Sequence, residues 1–189
     1  MTMGARGRTG DTGFTLIEVA VAMLLLMVAA TGVAQLFGIA ISAAESARVQ
    51  TSATLLAIQK LEQLRALAWT TDASGAPLSD RDTDVAVVPT TSGGPGLNAS
   101  SPNSLDVNTP GYVDYLSTRG VWLGAGPVPP RQARYIRRWS VQSLPEDPAD
   151  TLILQVLVTT VARDARALTP RRRLQGDALV TTVLTRKAP

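Results

Sequence analysis

The chain has 189 residues, length for about one domain, of which 45% are hydrophobic, 4% aromatic and 17% charged, with a net charge of +3. It contains no His, which excludes histidine triads and histidine metal sites, and no Cys, which excludes thiolate metal centres, cysteine nucleophiles and disulfides. Charge is unevenly spread: residues 70–118 hold six Asp against Arg81 alone, whereas residues 119–189 hold twelve bases against five acids.

The chain starts with a short polar stretch, Met1–Gly13, that carries Arg6 and Arg8. From Val19 to Ala44 there are 26 consecutive residues without a charge, most of them Ala, Val, Leu, Ile or Met. As a helix they span about 39 Å, against a hydrocarbon core of about 30 Å, which predicts a membrane-crossing segment. Arg6 and Arg8 precede it and the next base is Arg48. Positive charge held on the cytoplasmic side then puts the N-terminus inside and residues beyond about 45 outside. Two other readings compete. One is a secretory signal peptide with small residues near Gly32 and Ala34. The other is a buried core helix, for which so short a chain offers little covering protein. Glu18 stands at the front edge of the apolar block. A carboxylate at a membrane helix centre costs about 2.5–3.5 kcal/mol, less near the interface, so such a residue marks function.

Gly13-Phe14-Thr15-Leu16-Ile17-Glu18-Val19 resembles the processing site of type IV prepilins and type II secretion pseudopilins. The resemblance covers about residues 1–68. It implies a leader, Met1–Gly13, cut after Gly13 by prepilin peptidase, a membrane aspartyl protease. It implies N-methylation of the new N-terminal residue, Phe14. It makes Glu18 the fifth mature residue, an assembly residue whose carboxylate pairs with the Phe14 amine of a neighbouring subunit. Any other helix register would strand a charge in an apolar bundle. The plainer alternative is a Glu18 that only snorkels to the headgroups.

Beyond the apolar block, Ala43–Ala68 is rich in helix formers, and no Pro occurs between Phe14 and Ala76. One helix from Phe14 to about Ala68 is predicted, its membrane half at 14–44 and its amphipathic half at 45–69. Leu55, Ile58, Leu61, Leu64 and Leu67 form an apolar stripe, with Gln59, Lys60, Glu62 and Gln63 mainly off it. Major type IV pilins usually bend this helix with a Pro. This chain has none there, which argues against a standard major pilin.

Residues 70–189 read as a loop-rich head. Val85–Val88 is expected as a short strand, Tyr112–Leu123 as a strand or a helical turn, and the Ser/Asn/Gly/Pro-rich stretch 90–110 as a mobile loop. The C-terminal third alternates like β structure over Arg134–Leu144, Thr151–Arg163 and Ala178–Arg186, with a turn at Pro145-Glu146-Asp147-Pro148. Three such segments predict an antiparallel sheet whose apolar face covers the helix stripe. The expected fold is therefore α+β and pilin-like: one long N-terminal helix packed on a small C-terminal antiparallel sheet.

Candidate chemistry elsewhere is thin. Asp80, Asp82 and Asp84 alternate like the start of a calcium loop, but the sixth position is Val85 and the twelfth Thr91, so no EF-hand fits and a solvated acidic loop is the expectation. Arg131, Arg134, Arg137 and Arg138 near Tyr135 and Trp139, with Arg171-Arg172-Arg173, have the composition of a DNA-binding patch. Yet a strand alternates its faces, so Arg137 and Arg138 point opposite ways. No catalytic residue and no cofactor is assigned. Lys60 and Lys187 are the two lysines, and neither stands in a catalytic constellation.

The reading is a structural subunit, similar to minor pilins of the V type and minor pseudopilins of the I group. Its partners are prepilin peptidase, other pilin or pseudopilin subunits and inner-membrane lipid. Its expected location is the inner membrane, single-pass, and then a pilus or pseudopilus. A DNA-binding competence pilin is the second reading. A membrane-anchored or secreted non-pilin domain is the third.

Overall fold

The structure, a computed structural model, describes residues 13–166 and 176–186. The chain forms two compact units, Met1–Glu45 and Ser46–Pro189. Helix α1 runs from Leu16 to Arg65 and belongs to both. Its part in the first unit is apolar and wholly exposed.

Among its described residues the second unit holds the rest of α1 and nine strands: β1 (Trp69–Thr71), β2 (Pro77–Ser79), β3 (Thr83–Asp84), β4 (Thr91–Ser92), β5 (Val113–Leu116), β6 (Trp122–Ala125), β7 (Tyr135–Leu144), β8 (Asp147–Thr160) and β9 (Ala178–Thr185). A one-turn helix, α2 (Val161–Asp164), follows β8. The main sheet has five strands in the order β6-β5-β7-β8-β9, every neighbour antiparallel. β1 pairs with β2 and β3 with β4 in two small ladders.

The three C-terminal segments became β7, β8 and β9, and the alternation in them decides the faces. Tyr135, Trp139, Val141, Leu152, Leu154, Val156 and Val158 enter one core with the helix. Val113, Tyr115 and Ile136 form a smaller cluster on the other face, with Val161 of α2 packed on it. The expected strand Thr151–Arg163 stops early. Thr160 has an extended backbone, and its side chain accepts from Arg163 N, so it caps α2 and residues 161–163 turn helical.

Ser46–Arg65 lies on the sheet; Leu61, Leu64 and Leu67 of the expected stripe are buried there, but Leu55 and Ile58 are not. Val49, Ala53, Ala57, Lys60, Leu61 and Leu64 are buried. Leu55 is 62% exposed and Ile58 42%. Ala53 and Ala57 are one turn apart and wholly covered, so small side chains set the close approach of helix to sheet. A count of large apolar residues misses that face, because it weighs Ala too little.

The connecting segments differ from expectation as well. Val85–Val88 is a turn, not a strand. Asp84 Oδ1 accepts from Ala86 N at 2.8 Å, an Asx turn that breaks the extended chain, and the consecutive Val85 and Ala86 both enter the core. Tyr112–Leu123 resolves into β5, a turn and the start of β6. Within 90–110, Leu97 and Leu105 are buried, and Ser100 exchanges hydrogen bonds with the backbone of Val141. That stretch is anchored on the sheet rather than a free loop.

Candidate processing and assembly site

Gly13, Phe14 and Thr15 precede the first turn of α1. Thr15 is a cap: its Oγ1 accepts from Glu18 N at 3.3 Å, and its carbonyl accepts from Glu18 N and Val19 N. Thr15-Leu16-Ile17-Glu18 has the spacing of a capping box, with the acid in the first turn, where the helix dipole favours negative charge. The sequence reading missed this role, although Ser/Thr-x-x-Glu ahead of an apolar run is its signal. Among the described residues nothing pairs with the Glu18 carboxylate.

Among the described residues nothing packs on the two residues ahead of the cap. Among the described residues, a Cβ added at Gly13 meets nothing within 4 Å. Phe14 is 82% exposed. From Gly13 to Arg48 every residue is exposed. By length and composition α1 can cross a membrane. Among the described residues, a glycine with nothing packed on it, an exposed aromatic ring and a carboxylate without a partner thus open an apolar helix. Residues 1–12, most of the expected leader, lie outside the described residues.

The family model described as Prokaryotic N-terminal methylation motif matches residues 8–34. The chain carries that motif. The match spans Gly13, Phe14, Glu18 and the first half of the apolar block, and supports the type IV pilin and pseudopilin class without naming a member. No curated protein and no solved structure matches the chain.

The remaining candidate residues fall apart as sites. Asp80 Oδ2 accepts from Ala68 N, twelve positions away, at 2.6 Å, and Asp84 holds its own turn, so both carboxylates are committed to backbone N–H groups. Among the described residues no group of three acids is arranged to hold a metal. Tyr135, Arg137, Arg138 and Trp139 are all buried, and the two arginines are committed to carboxylates on opposite faces. Arg138 pairs with Asp164 through both oxygens, at 2.8 and 2.9 Å, and donates to Asn108 Oδ1. Arg131 is exposed and Arg134 half-buried. Arg171, Arg172, Arg173 and Lys187 lie outside the described residues.

One cluster was not foreseen. Asp114 of β5 stands opposite Arg137 of β7 on the helix-facing side of the sheet. Arg137 grips both its oxygens, Nε to Oδ1 at 2.9 Å and Nη2 to Oδ2 at 2.8 Å. Arg137 Nη1 also donates to the Leu56 carbonyl of α1. Lys60 brings a second cation to Asp114 Oδ2 at 3.1 Å, an ion contact rather than an aligned hydrogen bond. Its Nζ lies 4.4 Å from the centre of the Trp139 ring. All three charged side chains have no exposed surface. Burial is the main cause that holds the Lys60 pKa down to about 8; Asp114 opposes it and Arg137 adds to it. The cluster joins helix to sheet and has no opening to solvent through which a substrate would reach it.

Proposed function

We propose that this chain is a structural subunit, a minor pilin or pseudopilin, rather than an enzyme. Prepilin peptidase cuts it after Gly13 and methylates Phe14. It then assembles through α1 into a type IV pilus or a type II secretion pseudopilus. The observation that carries the reading is the run Gly13-Phe14…Glu18 at the mouth of an exposed apolar helix, inside the methylation-motif match.

Among the described residues nothing packs on Gly13 or pairs with the Glu18 carboxylate, and the Phe14 ring is exposed. A small residue before the scissile bond suits a protease that must close around the backbone, and Gly13 meets no steric demand from its own chain. Cleavage creates an α-amine on Phe14, one residue ahead of the Thr15 cap, so the helix begins at the same place before and after the cut. Methylation leaves that amine positive. Glu18, without a partner among the described residues, then pairs with the amine of a neighbour, and the pair sets one axial offset between helices. Arg6 and Arg8 keep the N-terminus cytoplasmic, and the sheet-bearing unit stays on the far side of the inner membrane.

Coexpression with a prepilin peptidase tests this. Intact-mass spectrometry should show loss of 13 residues and a methyl group on Phe14. Gly13→Val should keep the leader attached, with no change in the thermal unfolding of the sheet-bearing unit. A mature N-terminus elsewhere, near Ala34 for instance, would remove the main support for the reading.

A further inference from the structure

The sheet-bearing unit has two electrically different ends. Ser52 of α1, Arg119 and Tyr135 line one hollow, so α1 enters this unit beside the start of β7. β5 and β8 finish there, since Tyr135 pairs with Leu116 and with Thr160. Arg134 lies at the same end: its N–H donates to the Leu116 carbonyl, and its own carbonyl accepts from Val161 N of α2. Trp69, which follows α1, lines a second hollow with Ser143, Pro148 and Arg186, at the opposite end of the sheet. At the entry end stand Arg48, Arg119 and Arg166, all exposed, and the half-buried Arg134. Among the described residues nothing accepts a hydrogen bond from any of these four guanidinium groups. Asp164 and Asp177, at the same end, are already engaged by Arg138 and Thr159. Glu45, three positions before Arg48, leaves one acid against four bases. At the exit end the signs reverse: Asp72, Asp80, Glu146, Asp147 and Asp150 outnumber Arg81 and Arg186.

We propose that the entry end, through Arg48, Arg119, Arg134 and Arg166, binds the phosphate groups of anionic phospholipids in the bilayer that α1 crosses. The inference rests on the reading of the apolar half of α1 as a membrane-crossing segment. Reach decides the occupant. Arg48 is four residues past Ala44, the end of the charge-free block. Four residues span about 6 Å as a helix and at most about 14 Å in any conformation. The headgroup layer is about 5–8 Å deep on each side of the hydrocarbon, so Arg48 reaches it from the anchor alone. Ser52, beside Arg119, is one helical turn further on. That is within a Debye length of about 8–10 Å, over which a charged surface still attracts an exposed base. The guanidinium fork matches phosphate oxygens in pairs, and these four forks are unoccupied by the chain's own carboxylates. The acidic exit end of a second copy would also offer anions. It has to arrive by diffusion, whereas the anchor holds the bilayer beside Arg48 permanently.

The chain has no Cys, so a fluorophore on one introduced cysteine reports on one place. The full chain is reconstituted into vesicles of phosphatidylcholine, with or without phosphatidylglycerol, that carry a nitroxide-headgroup lipid as quencher. A label on Thr118→Cys, at the entry end, should be quenched about twofold or more strongly in the anionic vesicles at low salt. The difference should vanish in about 1 M salt, where the Debye length is about 3 Å. It should also vanish when Arg48→Gln, Arg119→Gln, Arg134→Gln and Arg166→Gln are combined, and survive the four matching changes to Lys, with the unfolding temperature unmoved. A label on Ser74→Cys, at the exit end, should ignore lipid charge. Equal quenching at Thr118 in the two lipids would overturn the proposal, as would a difference that survives the four Gln changes. Equal quenching together with energy transfer from labelled Thr118→Cys chains to labelled Ser74→Cys chains would assign the basic end to a second copy instead. Flotation separates this inference from the reading beneath it. A chain that does not float with neutral vesicles overturns both, whereas one that floats with both lipids and is quenched equally overturns the lipid contact alone.

Discussion

Lys60 Nζ stands 3.1 Å from Asp114 Oδ2, and neither side chain has any exposed surface. Arg137 already satisfies that carboxylate through two charge-assisted hydrogen bonds, so Lys60 is a second cation on one anion. The buried cluster therefore carries one positive charge in excess, offset by the Trp139 ring beneath the ammonium. Removing the different members should have opposite effects. Lys60→Met keeps the bulk and leaves a neutral Arg–Asp pair, so it should be neutral or stabilise the fold by about 1–3 kcal/mol at pH 7. Asp114→Asn leaves two buried cations facing a neutral amide and should cost about 3–5 kcal/mol. Urea unfolding of both variants measures this. Equal destabilisation by both would mean that Lys60 is a net contributor.

The same lysine gives the fold an alkaline signature. Its folded pKa of about 8 lies below its ordinary value of 10.5. Between those values the unfolded chain binds the proton and the folded chain does not, so stability rises with pH across that window. Below about pH 8 both states are charged and the burial cost is felt in full. Tyr112 and Tyr115, whose pKa values are raised by burial, act in the reverse sense, and only above about pH 10. From pH 8 to 10 the wild-type chain should gain about 2 kcal/mol. Lys60→Met should show no such rise. Denaturant midpoints at several pH values decide it.

How much of this could be read in the sequence depends on the range of the forces involved. The helix, its apolar half and the three C-terminal strands follow from local periodicity: Val19–Ala44 lies within α1, and Arg134–Leu144, Thr151–Arg163 and Ala178–Arg186 become β7, β8 and β9 with shifted ends. Asp114, Lys60 and Arg137 could not be gathered that way. They are separated by 54 and 23 positions and meet only once strand register and helix rotation are fixed. The helix rotation itself was misjudged at Leu55 and Ile58, because the approach of helix to sheet is set by Ala53 and Ala57, whose side chains carry little weight in an apolar count. The turn at Val85–Val88 was hidden for another reason: an aspartate side chain, Asp84, competes with the ladder for a backbone N–H.

That rotation makes its own prediction. Ala57 has no exposed surface and lies in the helix–sheet core, so Ala57→Leu should overpack it and cost about 1–3 kcal/mol. Leu55→Ala removes a larger group from a mostly exposed position and should change stability by no more than about 0.5 kcal/mol. The stripe read from the sequence predicts the reverse for Leu55, so thermal unfolding of the pair separates the two faces.

Arg6, Arg8 and the charge-free block up to Ala44 make a prediction of topology. A reporter active only outside the cytoplasm, fused after Pro189, should be active if the bases hold the N-terminus inside, as the positive-inside rule expects. Activity of a cytoplasmic reporter alone at that position would contradict both the orientation and the assembly route.

Glu18 separates processing from assembly. Glu18→Ala removes the carboxylate but leaves Gly13, the Thr15 side-chain cap and the apolar helix in place, since the cap bond is to the Glu18 backbone N–H. The precursor should insert and be cut as the wild type is. What it should lose is docking against the Phe14 amine of an adjacent subunit. In a desolvated contact, truncating one partner leaves the other charge unpaired at a cost of about 2–5 kcal/mol. At about 1.4 kcal/mol per factor of ten, incorporation should fall at least tenfold. The measure is mature subunit in sheared filaments, or crosslinked to its neighbours, relative to mature subunit in the membrane. Glu18→Asp keeps the charge but shortens the side chain and should recover part of the loss, which a purely steric role for Glu18 would not give. Equal incorporation of Glu18→Ala and wild type leaves two explanations, a subunit at the filament tip with no neighbour above it or a carboxylate that only reaches the headgroups. A photocrosslinker at Phe14 distinguishes them: a tip subunit still labels the subunit beside it, and a helix held by lipid alone labels none.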